Sequence, residues 1–77
     1  MVNAKTIKLN QIDDVKTFVK NAEKCEAKVT VSSSDGYIVD GKSIMGVFSL
    51  DLSKPVKVEY DMQVDREFGE FLNNYAI

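Results

Sequence analysis

Apolar and polar residues alternate in three short stretches of the chain, which is the pattern of strands that bury one face. The clearest stretch is residues 56–62, where every second residue is apolar and the residues between them are charged. Two others cover residues 4–9 and 27–32. Residues 33–36, Ser-Ser-Asp-Gly, predict a hairpin turn because Asp-Gly tolerates positive φ angles. Residues 37–40 are then the predicted fourth strand.

Apolar residues recur at helical spacing in three further stretches. Asp13 or Asp14 is the predicted N-cap of the first helix, and Asp65 is the predicted N-cap of the last. Their apolar stripes consist of Val15, Phe18, Val19 and Ala22 in the first and Phe68, Phe71, Leu72 and Tyr75 in the last. Residues 41–50 predict a short middle helix with Ser43 at or near its N-cap.

These elements follow one another in the order β-α-β-β-α-β-α. Strands with one apolar face and helices with one apolar stripe are buried most economically in two layers. We therefore predict an α+β fold in which the helices cover one face of a four-stranded, mainly antiparallel sheet. The chain has 77 residues and no linker or repeat, so residues 1–77 are expected to form a single domain.

Composition narrows the classes of function. The formal charge is −2 and no basic stripe is present, so we expect no nucleic-acid partner. No apolar run reaches the roughly 18 residues of a membrane span. The single cysteine, Cys25, fits the reducing cytoplasm, and its place on the stripe of Phe18 and Ala22 predicts a small core residue. With one cysteine and no histidine, neither a metal nor a cofactor is expected.

One motif carries more information than the composition does. Residues 42–47, Lys-Ser-Ile-Met-Gly-Val, follow the predicted hairpin and open the short apolar helix. They resemble the regulatory serine and second helix of HPr, the histidine-containing phosphocarrier of the bacterial sugar phosphotransferase system. The resemblance spans essentially the whole chain and is strongest over residues 28–58. It implies the HPr-like open-faced sandwich, which agrees with the element order predicted above.

The chain departs from this family after the first strand. There the family carries a Gly-x-His-x-Arg-Pro type segment, whose histidine accepts phosphate from enzyme I. Residues 10–16 contain no glycine, histidine, arginine or proline, and the whole sequence contains no histidine. Asp13 and Asp14 place negative charge where the resemblance would place phosphate, which disfavours phosphate there. We expect a degenerate carrier-site loop, and a protein that is neither an enzyme nor a histidine phosphocarrier.

Ser43 has two compatible interpretations. The first is a plain N-cap, worth about 1 kcal/mol, whose hydroxyl accepts a hydrogen bond from the amide of Met45 or Gly46. The resemblance implies the second, which is phosphorylation by the bifunctional kinase/phosphorylase that modifies the equivalent serine in the family. A phosphate at a helix N-terminus is favourably placed, so a cap and a modification site can coincide.

The middle helix is apolar on both sides. At about 100° per residue, one arc consists of Ile44, Met45 and Phe48, and the other of Val47 and Leu50. One arc is expected to pack on the sheet, and the other is either covered by the loop at residues 52–55 or exposed for docking. Exposure is favoured, because a domain of this size has few elements left to cover it. The resemblance implies partner docking through this exposed arc and Lys42.

The resulting hypothesis is a cytoplasmic, monomeric regulatory module that binds proteins and is switched by phosphorylation of Ser43. The expected partners are proteins of the phosphotransferase system or its regulators: the serine kinase/phosphorylase, a transcription regulator or an enzyme I-like protein. The alternative is a phosphotransfer component that accepts phosphate on Asp13 or Asp14, or that competes with HPr at enzyme I. A third hypothesis is a remnant of the HPr-like family that binds an unrelated partner.

Overall fold

The strands and helices of the protein follow the predicted order. The computed structural model describes residues 2–61 and 63–77. In chain order the elements are β1 (Asn3–Ile7), α1 (Ile12–Lys24), β2 (Thr30–Ser32), β3 (Ile38–Asp40), α2 (Ile44–Phe48), β4 (Val56–Tyr60) and α3 (Arg66–Leu72). Met62, which the alternation assigned to the last strand, lies outside the described residues.

The four strands form one sheet in the order β1-β4-β2-β3, and every neighbouring pair is antiparallel. Val31 of β2 lies opposite Val39 on one side and Val58 on the other. Ile7 of β1 lies opposite Val56. Since side chains alternate across a strand, this register places Ile7, Val31, Val39, Val56 and Val58 on one face.

That apolar face and the helices enclose a single core. Its buried members are Ile7, Leu9, Val15, Phe18, Val19, Ala22, Cys25, Ala27, Val29, Val31, Val47, Leu50, Val56, Val58, Tyr60, Phe68 and Leu72. Aromatic rings join the layers: the ring centroid of Phe68 on α3 lies 6.0 Å from that of Phe18 on α1 and 5.4 Å from that of Tyr60 on β4. Cys25 is therefore a core residue, as predicted, and the two-layer fold is confirmed.

Several element boundaries differ from the predictions. Ala27 and Val29 are buried as the alternation required, but the strand ladder begins only at Thr30. The middle helix begins at Ile44, because residues 41 and 42 form a turn that Ser43 ends as the N-cap. Tyr75 packs against the core from the turn after α3, outside the helix itself.

Gly41 lies directly against Val29, the residue before β2. Its amide donates a hydrogen bond of 2.8 Å to the carbonyl of Val29. A methyl group at Gly41 would lie 2.5 Å from the Cγ1 atom of buried Val29. Glycine, which has no Cβ atom, lets the backbone that leads to α2 lie this close to Val29.

We predict that Gly41→Ala lowers the free energy of unfolding by about 1–3 kcal/mol, the usual cost of overpacking a core. Gly46→Ala is the comparison and should cost less, because its methyl group would lie 3.3 Å from the Ser43 hydroxyl, which requires a shift of only a few tenths of an ångström, and alanine is the better helix former. Urea unfolding followed by circular dichroism measures both. A Gly41→Ala protein as stable as the Gly46→Ala protein would contradict the proposed close contact.

Candidate functional site

Ser43 is the N-cap of α2. Its backbone is extended, with φ −106° and ψ 113°, and its Oγ accepts a hydrogen bond of 3.2 Å from the amide of Gly46. The carbonyl of Ser43 accepts the amide of Val47 at 3.0 Å, which begins the helix. The predicted cap is therefore confirmed, with Gly46 as its donor. The serine side chain is half-buried at the surface of the domain.

The two arcs of α2 differ sharply in exposure. Val47 is fully buried, and Leu50 just beyond the helix is 7% exposed. On the opposite arc, Met45 is 81% exposed, Phe48 42% and Ile44 39%. We call these three exposed residues the α2 patch. The structure thus places the predicted apolar arc at the surface, directly after the N-cap serine.

The resemblance grouped Lys42 with the patch, but the ammonium group of Lys42 is bonded to the end of α1. The Lys42 amide donates to the Asp40 Oδ1 atom at 2.9 Å, within the turn. Its Nζ atom donates to the carbonyl of Cys25 at 2.8 Å, in a half-buried position at the end of α1. The Lys42 side chain therefore connects the turn before Ser43 to α1.

The predicted carrier-site loop contains the start of α1, and one prediction there is wrong. The N-cap is Gln11 (φ −133°, ψ 159°), so the helix begins before both aspartates. Asp14 occupies the third helical position, and its Oδ2 atom accepts the amides of Asn10 and Gln11 at 3.1 Å each. Asp14 thus supports the helix start from within, as the acidic member of a capping box, and Asp13 is exposed in the first turn.

Loop and patch meet at a pocket of about 350 Å³. Phe48 of the α2 patch forms one wall, and Ile12, which is 64% exposed, forms another. Lys8 closes the side of the pocket, because its Nζ atom donates to the carbonyl of Leu52 at 3.0 Å and to the Oδ1 atom of Asn10 at 3.1 Å. Sequence reasoning missed Ile12. Its only sequence signal was an apolar residue outside the helical stripe, next to the aspartates.

Two further depressions differ in their distance from these elements. A groove of about 290 Å³ between α1 and α2 is lined by Lys16, Val19, Lys20, Glu23, Lys42 and Ile44. A wider depression of about 430 Å³ lies mainly over the polar face of the sheet, around Ser32, Ser33 and Lys57. It is the larger of the two, but it lies away from Ser43 and the α2 patch, so size alone does not identify the site.

Cys25 is 3% exposed where α1 ends. Burial raises the pKa of its thiol above the ordinary value, and a hydrogen bond to the Asp65 carboxylate raises it further. The Asp65 carboxylate also caps α3, since its Oδ1 atom accepts the amide of Phe68 at 3.1 Å, as the sequence predicted. Cys25 therefore lies where the end of α1, the turn before α2 and the start of α3 meet.

Comparison with known proteins assigns this arrangement to a family. The family model described as the PTS HPr component phosphorylation site matches residues 14–67, which include Asp14, Ser43 and the α2 patch. The chain belongs to the HPr family. Members of this family are phosphocarriers rather than catalytic enzymes.

The solved structures agree on the fold. The chain is similar to the crystal structure of a phosphocarrier protein HPr from Bacillus anthracis str. Ames, with a TM-score of 0.75 and 24% sequence identity. The match covers 99% of this chain and 98% of that one. A search of curated protein sequences finds no significant match.

Two surveys of the described residues add to this assignment. None of their helices is long and apolar enough to cross a bilayer. Nor do these residues place three or more histidine, cysteine or acidic side chains where they could hold a metal ion.

We predict that Ser43→Ala lowers the free energy of unfolding by about 1 kcal/mol, because the Gly46 amide loses its acceptor. Ser43→Asp should retain most of the stability, since aspartate is an equally good N-cap. Ser34→Ala, in the exposed hairpin turn, is the matched control. Urea unfolding would contradict the capping role if all three variants were equally stable.

Alkaline pH is predicted to destabilise the HPr-like domain. Burial raises the pKa of Cys25, Tyr60 and Tyr75, so the folded state favours their neutral forms. The free energy of unfolding should stay level below the ordinary thiol pKa of 9.0 and fall as pH rises through the raised values. Urea midpoints between neutral and strongly alkaline pH measure this. In Cys25→Ala, the free energy of unfolding should begin to fall only at the higher pH where the tyrosines ionise. A pH dependence equal to that of the native protein would exclude the thiol as a contributor.

Proposed function

We propose that this HPr-family chain is a regulatory, protein-binding module of the bacterial phosphotransferase system that does not carry phosphate on histidine. The observation that carries the proposal is the exposed α2 patch directly after an accessible N-cap serine, in a sequence with no histidine. The patch docks a partner, and phosphorylation of Ser43 changes the affinity of that docking. Such a module works by binding, so it needs no cofactor.

The apolar character of the patch supports docking. Seventeen of the described apolar residues form the buried core, whereas Ile44, Met45 and Phe48 form one exposed cluster on a single helix. A methionine that is 81% exposed can adapt its shape to a partner's surface. Phe48 also borders the pocket next to Ile12, so the docking surface extends from α2 to the start of α1.

The position of Ser43 supports a switch. A phosphate there would add a charge of about −2 beside the patch without covering any of its apolar surface. The oxygen that now accepts the Gly46 amide would become part of a dianion, so the helix start would keep its acceptor. Phosphorylation therefore alters the electrostatics of docking and leaves the fold in place, which is what a reversible regulatory mark requires.

Phosphate uptake is tested by intact-mass spectrometry after two parallel incubations. One uses the HPr kinase/phosphorylase with ATP, and the other uses enzyme I with phosphoenolpyruvate. We expect one phosphate from the kinase alone, lost in Ser43→Ala. Phosphate from enzyme I on this chain would favour the alternative, a phosphotransfer component that uses Asp13 or Asp14. Inhibition of HPr phosphorylation by the unmodified chain would instead indicate a competitor at enzyme I.

Docking is tested with patch variants and a matched control. We predict that Met45→Asp weakens binding to a phosphotransferase-system partner at least about tenfold, because charge replaces a central apolar contact. Ile38→Asp is the control, since Ile38 is 69% exposed on edge strand β3, outside the patch. Calorimetry with enzyme I, the kinase/phosphorylase and a carbohydrate-responsive transcription regulator measures the affinities. Equal losses in both variants would exclude the α2 patch as the interface.

A further inference from the structure

Besides the bond from the Ser43 amide to the Asp40 carbonyl at 3.1 Å, which closes the turn itself, three hydrogen bonds hold the turn that leads to Ser43. The Gly41 amide donates to the Val29 carbonyl at 2.8 Å, and the Lys42 amide donates to the Asp40 carboxylate at 2.9 Å. The third runs from the Lys42 Nζ atom to the Cys25 carbonyl at 2.8 Å. The first two join neighbouring parts of the β2–β3 hairpin and its exit. Among the described residues, only the third connects the turn to α1.

The acceptor of this third bond is well suited to a cation. Cys25 is the C-cap of α1, and because its backbone is extended (φ −72°, ψ 130°) its carbonyl leaves the helical direction and takes a partner outside the helix. Cys25 follows the last residue of α1, and its carbonyl points to the Lys42 ammonium at a half-buried position where water screens the attraction less. A charged donor at such a position makes one of the stronger hydrogen bonds of the domain.

The Lys42 ammonium keeps the Cys25 carbonyl as its acceptor although charged groups lie near this junction. Asp65 lies close enough to the Cys25 thiol to accept its hydrogen bond and raise its pKa, while Lys42 acts on that pKa in the opposite direction. The Lys42 amide, by contrast, is held by Asp40 at the other end of the residue. Backbone and side chain of Lys42 are therefore both anchored within the domain.

We infer that Lys42 is a positioning residue for Ser43. The Lys42 ammonium holds the start of α2 against the end of α1 and does not contact the docked partner. The inference rests on the proposed function of Ser43 as the modified residue. Lys42 fixes where the N-cap hydroxyl and the α2 patch lie relative to α1. Without this bond, the turn is held to the hairpin alone and the first turn of α2 opens more often.

Amide hydrogen exchange tests the inference without any partner. In Lys42→Met, the amides of Gly46, Val47 and Cys25 should exchange roughly tenfold faster, the fold-change expected when one charged hydrogen bond is lost. Lys42→Arg keeps a cationic donor and should restore slow exchange. Lys28→Met is the control, because Lys28 is exposed and has no bonded partner among the described residues. Equal exchange in Lys42→Met and Lys28→Met would overturn the inference.

Kinetics with the HPr kinase/phosphorylase separate positioning from docking. If Lys42 positions Ser43, Lys42→Met should lower kcat roughly tenfold with KM for the protein substrate unchanged, and Lys42→Arg should recover it. A raised KM with unchanged kcat would instead make Lys42 a contact residue and overturn the inference. If the native chain takes up no phosphate at all, the proposed function of Ser43 fails, and the exchange measurement still decides the role of Lys42.

Discussion

Val58 on the central strand β4 pairs with Val31 of β2 on one side and Lys5 of β1 on the other, and both valine side chains are fully buried. Because residues alternate across a strand, this burial fixes the inward face of the whole sheet. A chain of 77 residues has material to cover only that one face. The helices therefore share a single surface, and α2, with five residues, reaches the core chiefly through Val47. The other large apolar side chains of α2, those of the α2 patch, are exposed to solvent.

The N-cap determines which side chains those are. Each residue rotates a helix by about 100°, so starting α2 one residue earlier or later would turn a different arc to the core. An isolated helix of five residues is unstable in water, and α2 depends on its cap and on tertiary contacts. The cap is the Ser43 hydroxyl. The tertiary contacts include that of Gly41 with Val29 and the hydrogen bond from Lys42 to the Cys25 carbonyl. Exposure of the α2 patch and the position of Ser43 thus have the same physical cause.

Local periodicity predicted most of the fold, and long-range contacts account for what it missed. The order of elements, the Ser43 and Asp65 caps and the two arcs of α2 follow from spacing within a few residues. The Lys42 bond joins residues 17 positions apart, which no local pattern reports. The start of α1 was misplaced because aspartate is favoured both at the N-cap and in the first turn, and only the backbone distinguishes Asp14 in the second role.

The starts of α1 and α2 are stabilised by acceptor side chains that differ in charge. At α1 the Asp14 carboxylate already accepts the amides of Asn10 and Gln11, so these donors are not free for an external anion. At α2 the cap is a neutral hydroxyl, which satisfies the Gly46 amide without adding charge. A carboxylate cap carries negative charge, whereas a hydroxyl cap is neutral and can be converted to an anion by phosphorylation. Under the proposed function, the choice of capping residue separates a helix start whose acceptor already carries negative charge from one that acquires it on phosphorylation of Ser43.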